Sequence, residues 1–406
     1  MTFEMLGLRP ALLARLAELS LTEPTPIQSR AIPEVMNGRD VMGLAQTGTG
    51  KTMAFGLPIA DALLQDQLRC VPKATHGLIL APTRELAKQI HDNLMAVLKG
   101  SHLRLGLVVG GASLNAQAQR MQRGVHLLVA TPGRLLDLIE RKAIGLGETR
   151  YLVLDEADHM LDLGFIHALR QIAKMLPEER QTLLFSATMP KQMNEIAAAF
   201  LKSPVRIEVA PPGKTADKID QSVIFVDAAA KGDKLSELLD THRDELALVF
   251  TRTKHGADRL SRKLGQSGFA VGAIHGNKSQ GQRTRALEEF RQGKLRVLVA
   301  TDVAARGIDI PDVRHVYNFE LPNVPDNYVH RIGRTARAGR DGRAVSLCSP
   351  AEAGELRGIE KLIGHPIRSE GGTRPAEVAE APKGKGKGKP RRFRPARARR
   401  PSRKAA

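Results

Sequence analysis

Aromatic residues are scarce in this chain of 406 residues, which has no tryptophan, three tyrosines and eleven phenylalanines. It has only two cysteines, Cys70 and Cys348, and neither lies in a metal-ligand spacing, so we expect both to be small core residues. No run of 18 apolar residues occurs, and Glu4 and Arg9 interrupt the region where a secretory signal needs continuous apolar residues. These absences predict a cytoplasmic protein without a membrane span.

The chain also lacks a balance of charge. It has 62 Lys and Arg against 43 Asp and Glu, a net charge of +19, and residues 371–406 contribute +11 of this. We expect a polyanionic partner, and nucleic acid rather than membrane, because no amphipathic basic helix with large apolar anchors accompanies the charge. The composition is that of a soluble globular protein, and the length predicts two domains, with room for an appendage.

Residues 45–52 are typical of a phosphate-binding loop. They follow an apolar run at 40–44 that suits a buried strand, and they precede a segment that can begin a helix. Small residues allow backbone N–H groups to close on a polyphosphate, with a lysine for the outer phosphates and a threonine hydroxyl for Mg²⁺. Ala45 replaces the first glycine of the general pattern, and an ordinary Gly/Thr turn is the alternative. The residues expected to hold a nucleoside triphosphate are Thr47, Gly48, Thr49, Gly50, Lys51 and Thr52.

Continuous apolar runs that predict strands, such as 77–80 and 151–154, alternate with helical segments along most of the chain. This alternation predicts an α/β fold in which mostly parallel sheets are flanked by helices, with functional residues at the carboxyl ends of the strands. We predict a first domain at 1–209, a linker at 210–217 and a second, similar domain at 218–369 without a phosphate loop. Residues 370–406 are rich in Pro, Gly, Lys and Arg, and we expect a disordered basic tail.

Asp155 and Glu156 follow an apolar strand, where a phosphate-loop enzyme has its second carboxylate motif. We expect Asp155 to hold Mg²⁺, largely through water, and Glu156 to activate the attacking water, which predicts hydrolysis; an acidic helix cap is the alternative. The segment 330–337 offers Arg334 and Arg337, three residues apart and on one face if the segment is helical. They would act as arginine fingers from the second domain, with a basic phosphate-binding helix as the alternative.

Residues 1 to about 365 resemble the DEAD-box family of ATP-dependent RNA helicases, of superfamily 2, in the order and content of their motifs. The tetrad at 155–158 spells the family name. The other matching segments are 24–28 with Phe3 upstream, 45–52, 82–86, 110–111, 131–134, 186–188, 249–253, 280–283, 301–309 and 330–337. The run 274–280 and the basic tail resemble the bacterial RhlE-like branch most.

The resemblance implies two tandem RecA-like domains that close together on ATP and RNA. It implies that Gln28 binds adenine, that Gly307 and Asp309 lie at the nucleotide, with Asp309 meeting the ribose, and that Arg334 and Arg337 meet the γ-phosphate. Domain closure would be coupled to hydrolysis through Asp158, Ser186, Thr188 and His330. The residues that match RNA contacts of the family are Arg84, Gly111, Thr131, Arg134, Phe165, Arg252, Arg283 and Thr301.

Three positions depart from the family pattern. Leu21 stands where an aromatic residue usually stacks on adenine, and Asn277 replaces a commonly acidic residue. Ala336 replaces a glycine, and we expect a helix at this position to tolerate the methyl group.

The expected activity is RNA-stimulated ATP hydrolysis coupled to local, non-processive unwinding of short RNA duplexes and remodelling of ribonucleoproteins. Ribosome precursors or RNA-decay machinery would be its partners. A translocating DNA helicase is a second hypothesis, against which Gln28 and Asp158 argue. A third is an RNA-annealing clamp in which the tail does the work and hydrolysis only times release.

Overall fold

The computed structural model describes residues 1–45, 48–189, 191–209, 219–305, 312–336 and 341–374. Two α/β domains follow each other along the chain, each built on a seven-stranded parallel sheet flanked by helices. This architecture confirms the predicted fold class. The predicted linker at 210–217 and most of the predicted tail lie outside the described residues.

The first domain begins with a short 3-10 helix, Phe3–Leu6, ahead of its sheet. Its strands are β1 Val41–Leu44, β2 Thr75–Leu80, β3 Leu105–Val108, β4 Val125–Ala130, β5 Tyr151–Leu154, β6 Gln181–Ser186 and β7 Val205–Glu208. Its helices are α1 Pro10–Glu18, α2 Pro26–Met36, α3 Lys51–Asp66, α4 Arg84–Val97, α5 Leu114–Met121, α6 Pro132–Glu140, α7 Ala157–Asp162, α8 Ile166–Ala173 and α9 Lys191–Phe200. The strand order is β3-β4-β2-β5-β6-β1-β7.

Helices cover both faces of this sheet. Buried side chains of α1 to α4 pack against one face, and those of α5 to α9 pack against the other. Burial on both faces explains why β2 and β4 consist of six consecutive buried residues each instead of alternating apolar and polar ones.

The second domain repeats this plan. Its strands are β8 Ile219–Phe225, β9 Leu246–Thr251, β10 Val271–Ile274, β11 Val297–Thr301, β12 Val313–Asn318, β13 Gly342–Cys348 and β14 Arg368–Gly371. Its helices are α10 Lys231–Asp240, α11 Lys254–Gln266, α12 Gln280–Arg291, α13 Asp302–Ala305, α14 Pro325–Ile332 and α15 Ala353–Ile363. The strand order is β10-β11-β9-β12-β13-β8-β14. Side chains of α12 to α15 cover one face of the sheet, and those of α10 and α11 cover the other.

The strand order of the first sheet gathers its polar segments. Strands β2, β5, β6 and β1 are neighbours, so the segments that follow them meet at one edge of the sheet. These segments are 82–86, 155–158, 186–188 and the phosphate loop. The sequence therefore assembles a site at the edge where parallel α/β sheets bind ligands.

Candidate active site between the two domains

The described part of the phosphate loop is built around glycines and a buried lysine. Gly48 and Gly50 have φ values of +87° and +91°, a left-handed conformation that favours glycine. Lys51 begins α3, and its Nζ donates to the Ala45 carbonyl over 3.0 Å. The same Nζ lies 3.9 Å from Oδ1 of Asp155. Thr47, which is predicted to bind the nucleotide, lies outside the described residues.

Gln28 is buried against the phosphate loop. Its side-chain oxygen accepts from the Thr25 N–H over 3.0 Å, and its Nε2 donates to the Gly50 carbonyl over 3.0 Å. These two bonds cap α2 and join it to the phosphate loop. The amide keeps one N–H and one lone pair for adenine, so the adenine contact implied for Gln28 would use the same nitrogen and oxygen atoms as this bridge. Leu21, which stands where the family usually has an aromatic residue that stacks on adenine, is 40% exposed.

Asp155 and Glu156 lie side by side after β5, both buried. Glu156 has φ +49° and ψ +52°, a left-handed conformation that is uncommon outside glycine and that concentrates at functional sites. The Asp155 Oδ1 accepts from the Glu156 N–H over 3.0 Å. This tight turn separates the directions of the two adjacent carboxylates.

The environment also shifts the pKa values of the two carboxyl groups in opposite directions. Burial raises the pKa of Asp155 to about 6, against the opposing charge of Lys51. Burial alone would also raise the pKa of Glu156, but the hydrogen bond with His159 and the charges of Lys51, His159 and Arg334 hold that pKa well below its usual range. Glu156 is therefore ionised at neutral pH. Such a split between neighbouring carboxyl groups is typical of sites with divided roles.

Asp158 joins the tetrad to the segment after β6. Its Oδ2 accepts from the Ala187 N–H over 3.1 Å, from the Thr188 N–H over 2.9 Å and from the Thr188 hydroxyl over 3.0 Å. The Ser186 hydroxyl donates to the Thr188 carbonyl over 2.7 Å. The structure thus brings together Asp158, Ser186 and Thr188, as the resemblance implies.

A chamber of about 440 Å³ lies between the two domains beside this tetrad. The first domain lines it with residues around Glu156, and the second domain with residues of α14 and the turn after it. His330 and Arg334 are among the latter. A carboxylate expected to act on water and an arginine from the other domain therefore share one space.

The condition that the segment 330–337 is helical does not hold at Arg334, and Arg337 lies outside the described residues. Helix α14 ends at Ile332, and Arg334 lies in the following turn, where its Nε donates to the His330 carbonyl over 3.2 Å. Ala336 has a φ of +54°, so the expectation that a helix accommodates its methyl group is also wrong. The predicted nucleotide residues Arg337, Gly307 and Asp309 lie outside the described residues.

Arg331 was missed by sequence reasoning. It is 1% exposed, and its guanidinium donates to both carboxylate oxygens of Asp302 over 2.5 and 2.8 Å. It also donates to the Glu320 carbonyl over 2.6 Å and lies 5.1 Å from the centre of the Phe250 ring. A buried charge with these partners orders the C-terminal end of α14 and thereby the turn that carries Arg334.

Two of the predicted RNA residues form a bridge between the domains. Arg283 of α12 lies 3.1 Å from Oε1 of Glu85, which also accepts from Nε2 of Gln280 over 3.0 Å. Arg84 donates to Oε1 of Gln280 over 3.2 Å. The guanidinium of Arg84 lies against Gly111, where a Cβ atom would collide with it. Sequence reasoning quoted Glu85 and Gln280 in motifs but assigned neither a role.

The other predicted RNA residues are distributed over both domains. Arg134 donates to the Ala112 carbonyl over 2.8 Å, and Thr131 and Phe165 stand at the N-termini of α6 and α8. Thr301 ends β11. Arg252 is turned into its own domain, because it donates to the Leu321 carbonyl over 2.7 Å and to Glu352 over 2.7 Å.

The described residues contain no cluster of three or more His, Cys, Asp or Glu side chains that could hold a metal ion. Mg²⁺ in nucleotide enzymes, however, is held by one or two carboxylates, water and substrate phosphates, not by a protein cage. Buried Asp155 and the half-buried Thr52 at the start of α3 provide that donor set. They fit Mg²⁺ brought in with a nucleotide. Among the described helices, none has the length and apolarity needed to cross a membrane.

Comparison with known proteins identifies the two domains. Residues 25–196 match the family model of DEAD/DEAH box helicases, and residues 230–339 match the model of the helicase conserved C-terminal domain. The chain is 45% identical over 360 residues to the DEAD-box ATP-dependent RNA helicase CshA of Bacillus cereus, covering 89% of this chain and 68% of the relative.

Solved structures agree in fold. Dbp5 of S. cerevisiae bound to RNA and ADP BeF3 is 33% identical, with 91% of this chain and 95% of that chain covered, and has a TM-score of 0.82. A Dbp5 variant bound to nup159, gle1, ip6 and adp is 30% identical, with 90% and 96% covered, and has a TM-score of 0.62. The TM-score is higher for the RNA-bound structure. The chain belongs to the DEAD-box ATP-dependent RNA helicases, a family of RNA-dependent ATPases.

Proposed function

We propose that this protein hydrolyses ATP when RNA holds its two domains together, and that it uses this cycle to separate short RNA duplexes locally and to remodel ribonucleoproteins. The observation that carries the proposal is the chamber shared by Glu156 and Arg334, which come from different domains. Neither domain contains both groups. Hydrolysis then depends on closure, and closure depends on RNA.

The phosphate loop and the segments beside it form the nucleotide site. Backbone N–H groups of the loop and Lys51 hold the phosphates, while the remaining N–H and lone pair of Gln28 face adenine. By family likeness, Gly307 and Asp309 lie on the ribose side of the nucleotide site. Thr52 and, through water, Asp155 would hold Mg²⁺, which would supply positive charge against the phosphates.

Glu156 and the second-domain arginines carry the hydrolytic step. An ionised carboxylate beside the outer phosphate accepts a hydrogen bond from the attacking water and orients it. Arg334, together with Arg337, stabilises negative charge that develops on the transferred phosphoryl group. The link from Asp158 to Thr188, with His330 across the chamber, transmits closure to this carboxylate.

RNA lies across both domains in this proposal. Its contacts are the eight predicted residues from Arg84 to Thr301, with backbone N–H groups and guanidinium groups on phosphate and sugar oxygens. Such contacts are independent of base sequence, and contacts to 2′-hydroxyl groups favour RNA over DNA. Bending one strand away from duplex geometry releases its complement, so unwinding is local and needs no translocation.

The test is the pair Glu156→Gln and Lys51→Ala. Glu156→Gln should bind ATP and RNA with wild-type affinity but lose turnover, because the amide cannot act as the anionic acceptor. Lys51→Ala should instead weaken ATP binding. The exposed Glu179→Gln serves as the matched control. Wild-type turnover by Glu156→Gln would reject the proposed role of Glu156.

The basic tail acts as an electrostatic tether for RNA. A truncation that removes 375–406 keeps β14 and the ion pair of Arg374 with Glu360, which lie before the cut. This truncation should lower RNA affinity and flatten its salt dependence by roughly 0.7 in log-log slope for each lost phosphate contact. An unchanged slope contradicts the tether. Loss of RNA remodelling in the truncation but not in Glu156→Gln would favour the annealing clamp instead.

The proposal also covers the compartment, the family branch and the RNA partners of the protein. We place the protein in the cytoplasm, nearest the RhlE-like branch, acting on ribosome precursors or with RNA-decay machinery. The run 274–280 and the tail support the branch, and the net charge supports an RNA target. Sequencing RNAs crosslinked to Glu156→Gln should enrich one of these RNA classes. A tree of the two-domain core that groups the chain away from RhlE-like proteins would contradict the branch.

A further inference from the structure

His159, the residue directly after the DEAD tetrad, is buried beside Glu156. It is 4% exposed, and its Nδ1 lies 3.2 Å from Oε2 of Glu156. Both residues line the chamber between the domains. The ring therefore contacts the carboxylate within the chamber that Arg334 also lines.

The local helix geometry explains this contact. Glu156 precedes α7 as its N-cap, and His159 comes three residues later, so the two share one face of the first turn. Asp158 faces the other way, toward Ala187 and Thr188. Within the first turn of α7, His159 therefore contacts Glu156, whereas Asp158 binds the segment after β6.

The direction of the hydrogen bond follows from the charge of Glu156. A glutamate carboxylate is ionised at neutral pH by its ordinary pKa, and an ionised carboxylate can only accept. Nδ1 of His159 must then carry the proton and donate. The other ring nitrogen, Nε2, is buried and has no hydrogen-bond partner among the described residues. The side chain of His159 does not link α7 to another helix or strand by a hydrogen bond, because its hydrogen bond goes to Glu156.

We propose that His159 is a positioning residue for ATP hydrolysis, which fixes the Glu156 carboxylate by donating from Nδ1 to Oε2. The inference rests on the proposed role of Glu156 and extends it to a residue outside the tetrad. A carboxylate with one oxygen fixed has fewer orientations to lose when it orients water. A small displacement of such a group is costly, since about 1 Å of misplacement reduces rates by up to about 10²-fold.

The experiment compares three replacements of His159 in the full-length protein. Asn places an amide N–H near the position of Nδ1, Gln places it near Nε2, and Leu has no N–H. ATP hydrolysis is measured with Mg²⁺ and saturating polyuridylate RNA. His159→Leu and His159→Gln should lower kcat about 10-fold or more, within the range expected for misplacement, whereas His159→Asn should recover most of the wild-type value.

The KM for ATP separates a positioning role of His159 from a purely structural one. The KM for ATP should stay within about twofold in all three variants, because the interaction is needed in the transition state and not for binding. If His159→Leu fails to fold, the comparison of Asn with Gln decides. Equal kcat values for Asn and Gln, or a wild-type kcat for Leu, would overturn the proposal. Exposed His365→Leu is the control for loss of a histidine as such.

A double-variant cycle separates the two proposals. Under single-turnover conditions, His159→Leu should cause no further loss when Glu156 is already Gln, because it acts through Glu156. Additive losses would overturn the positioning role. Wild-type turnover by Glu156→Gln alone would instead reject the proposed function.

Discussion

At the scale of single residues, Ala336 has a strained backbone conformation. Its φ of +54° lies in the left-handed region, where a Cβ atom is disfavoured. The family pattern has glycine here, and the structure explains why: the chain turns left-handed after Thr335, just past the end of α14. The sequence showed the departure but not its cost, because the helical spacing of the preceding residues suggested that α14 continues.

Ala336→Gly should therefore stabilise the second domain by about 1 kcal/mol, the approximate cost of a left-handed residue that is not glycine. Urea denaturation followed by circular dichroism measures the gain. Ala118→Gly, in the middle of α5, is the control and should lose about 1 kcal/mol. A loss of stability in Ala336→Gly would contradict the strain.

His242 makes stability depend on pH. Burial and the charge of the neighbouring His315 lower the pKa of His242 to about 4, although Glu245 acts in the opposite direction and Arg343 adds to the lowering. The ring stacks on His315 at 3.6 Å between centres and pairs with the Tyr317 hydroxyl over 2.6 Å.

The unfolded chain takes up this proton near its ordinary pKa of about 6.5, before the folded chain does. The contribution to stability is thus present above about pH 6.5 and is lost as the pH falls toward about 4. His242→Gln should show a smaller drop in urea midpoint than the wild type between pH 7.5 and pH 5. Equal drops would show that the folded protein accommodates the charged ring.

At the scale of elements, the predicted strands match the structure well where burial is strong. The apolar runs at 77–80 and 151–154 lie within β2 and coincide with β5, because strands covered on both faces consist of continuous apolar residues. Strand β14 was not predicted. Its residues Arg368–Gly371 are mostly exposed at the sheet edge, so no apolar pattern marks it, and it crosses the predicted domain end at 369.

The phosphate loop and α2 form one unit through Gly50. A Cβ atom on Gly50 would lie 2.5 Å from Nε2 of Gln28 and 2.9 Å from Oγ1 of Thr25. Gly50→Ala should therefore displace Gln28 and weaken ATP binding by about 10-fold or more, the loss of one to two hydrogen bonds in a buried site.

Gly38→Ala is the matched control for this prediction. Gly38 is also left-handed, with a φ of +76°, but its Cβ would meet nothing within 4 Å. It should lose stability by about 1 kcal/mol, through backbone strain alone, and keep its ATP affinity. Titration with a fluorescent ATP analogue compares the two variants. Equal affinities would contradict the link between Gln28 and the loop.

At the scale of the whole molecule, the contacts between domains could not be predicted from sequence. Glu85 and Gln280 are separated by 195 positions, and neither lies in a pattern that indicates a partner. The resemblance places Arg84 and Arg283 at RNA, which stays a prediction, and the structure shows that both also lie in the bridge between the domains. Motif order predicts which residues share a ligand, but it does not predict which of them contact each other.

Glu85→Ala should weaken closure, because it leaves the largely buried side chain of Arg283 without its 3.1 Å partner. The expected result is a loss of about 10-fold in RNA-stimulated turnover, equivalent to about 1.4 kcal/mol, with ATP affinity unchanged. Glu195→Ala, which removes an exposed ion pair to Arg170 inside the first domain, is the control and should have no effect. Additive effects of Glu85→Ala and Arg283→Ala would contradict the bridge.

The most direct test of the shared site is the RNA-stimulated rate of ATP hydrolysis by Arg334→Ala, measured in single turnover with ATP and RNA both saturating. Arg334 comes from the second domain and lines the chamber with Glu156 of the first. The account predicts a loss of about 10³-fold or more, as for other arginine fingers, with ATP affinity unchanged. A rate equal to that of the wild type would show that hydrolysis does not depend on Arg334, and would contradict a site shared between Glu156 and this arginine.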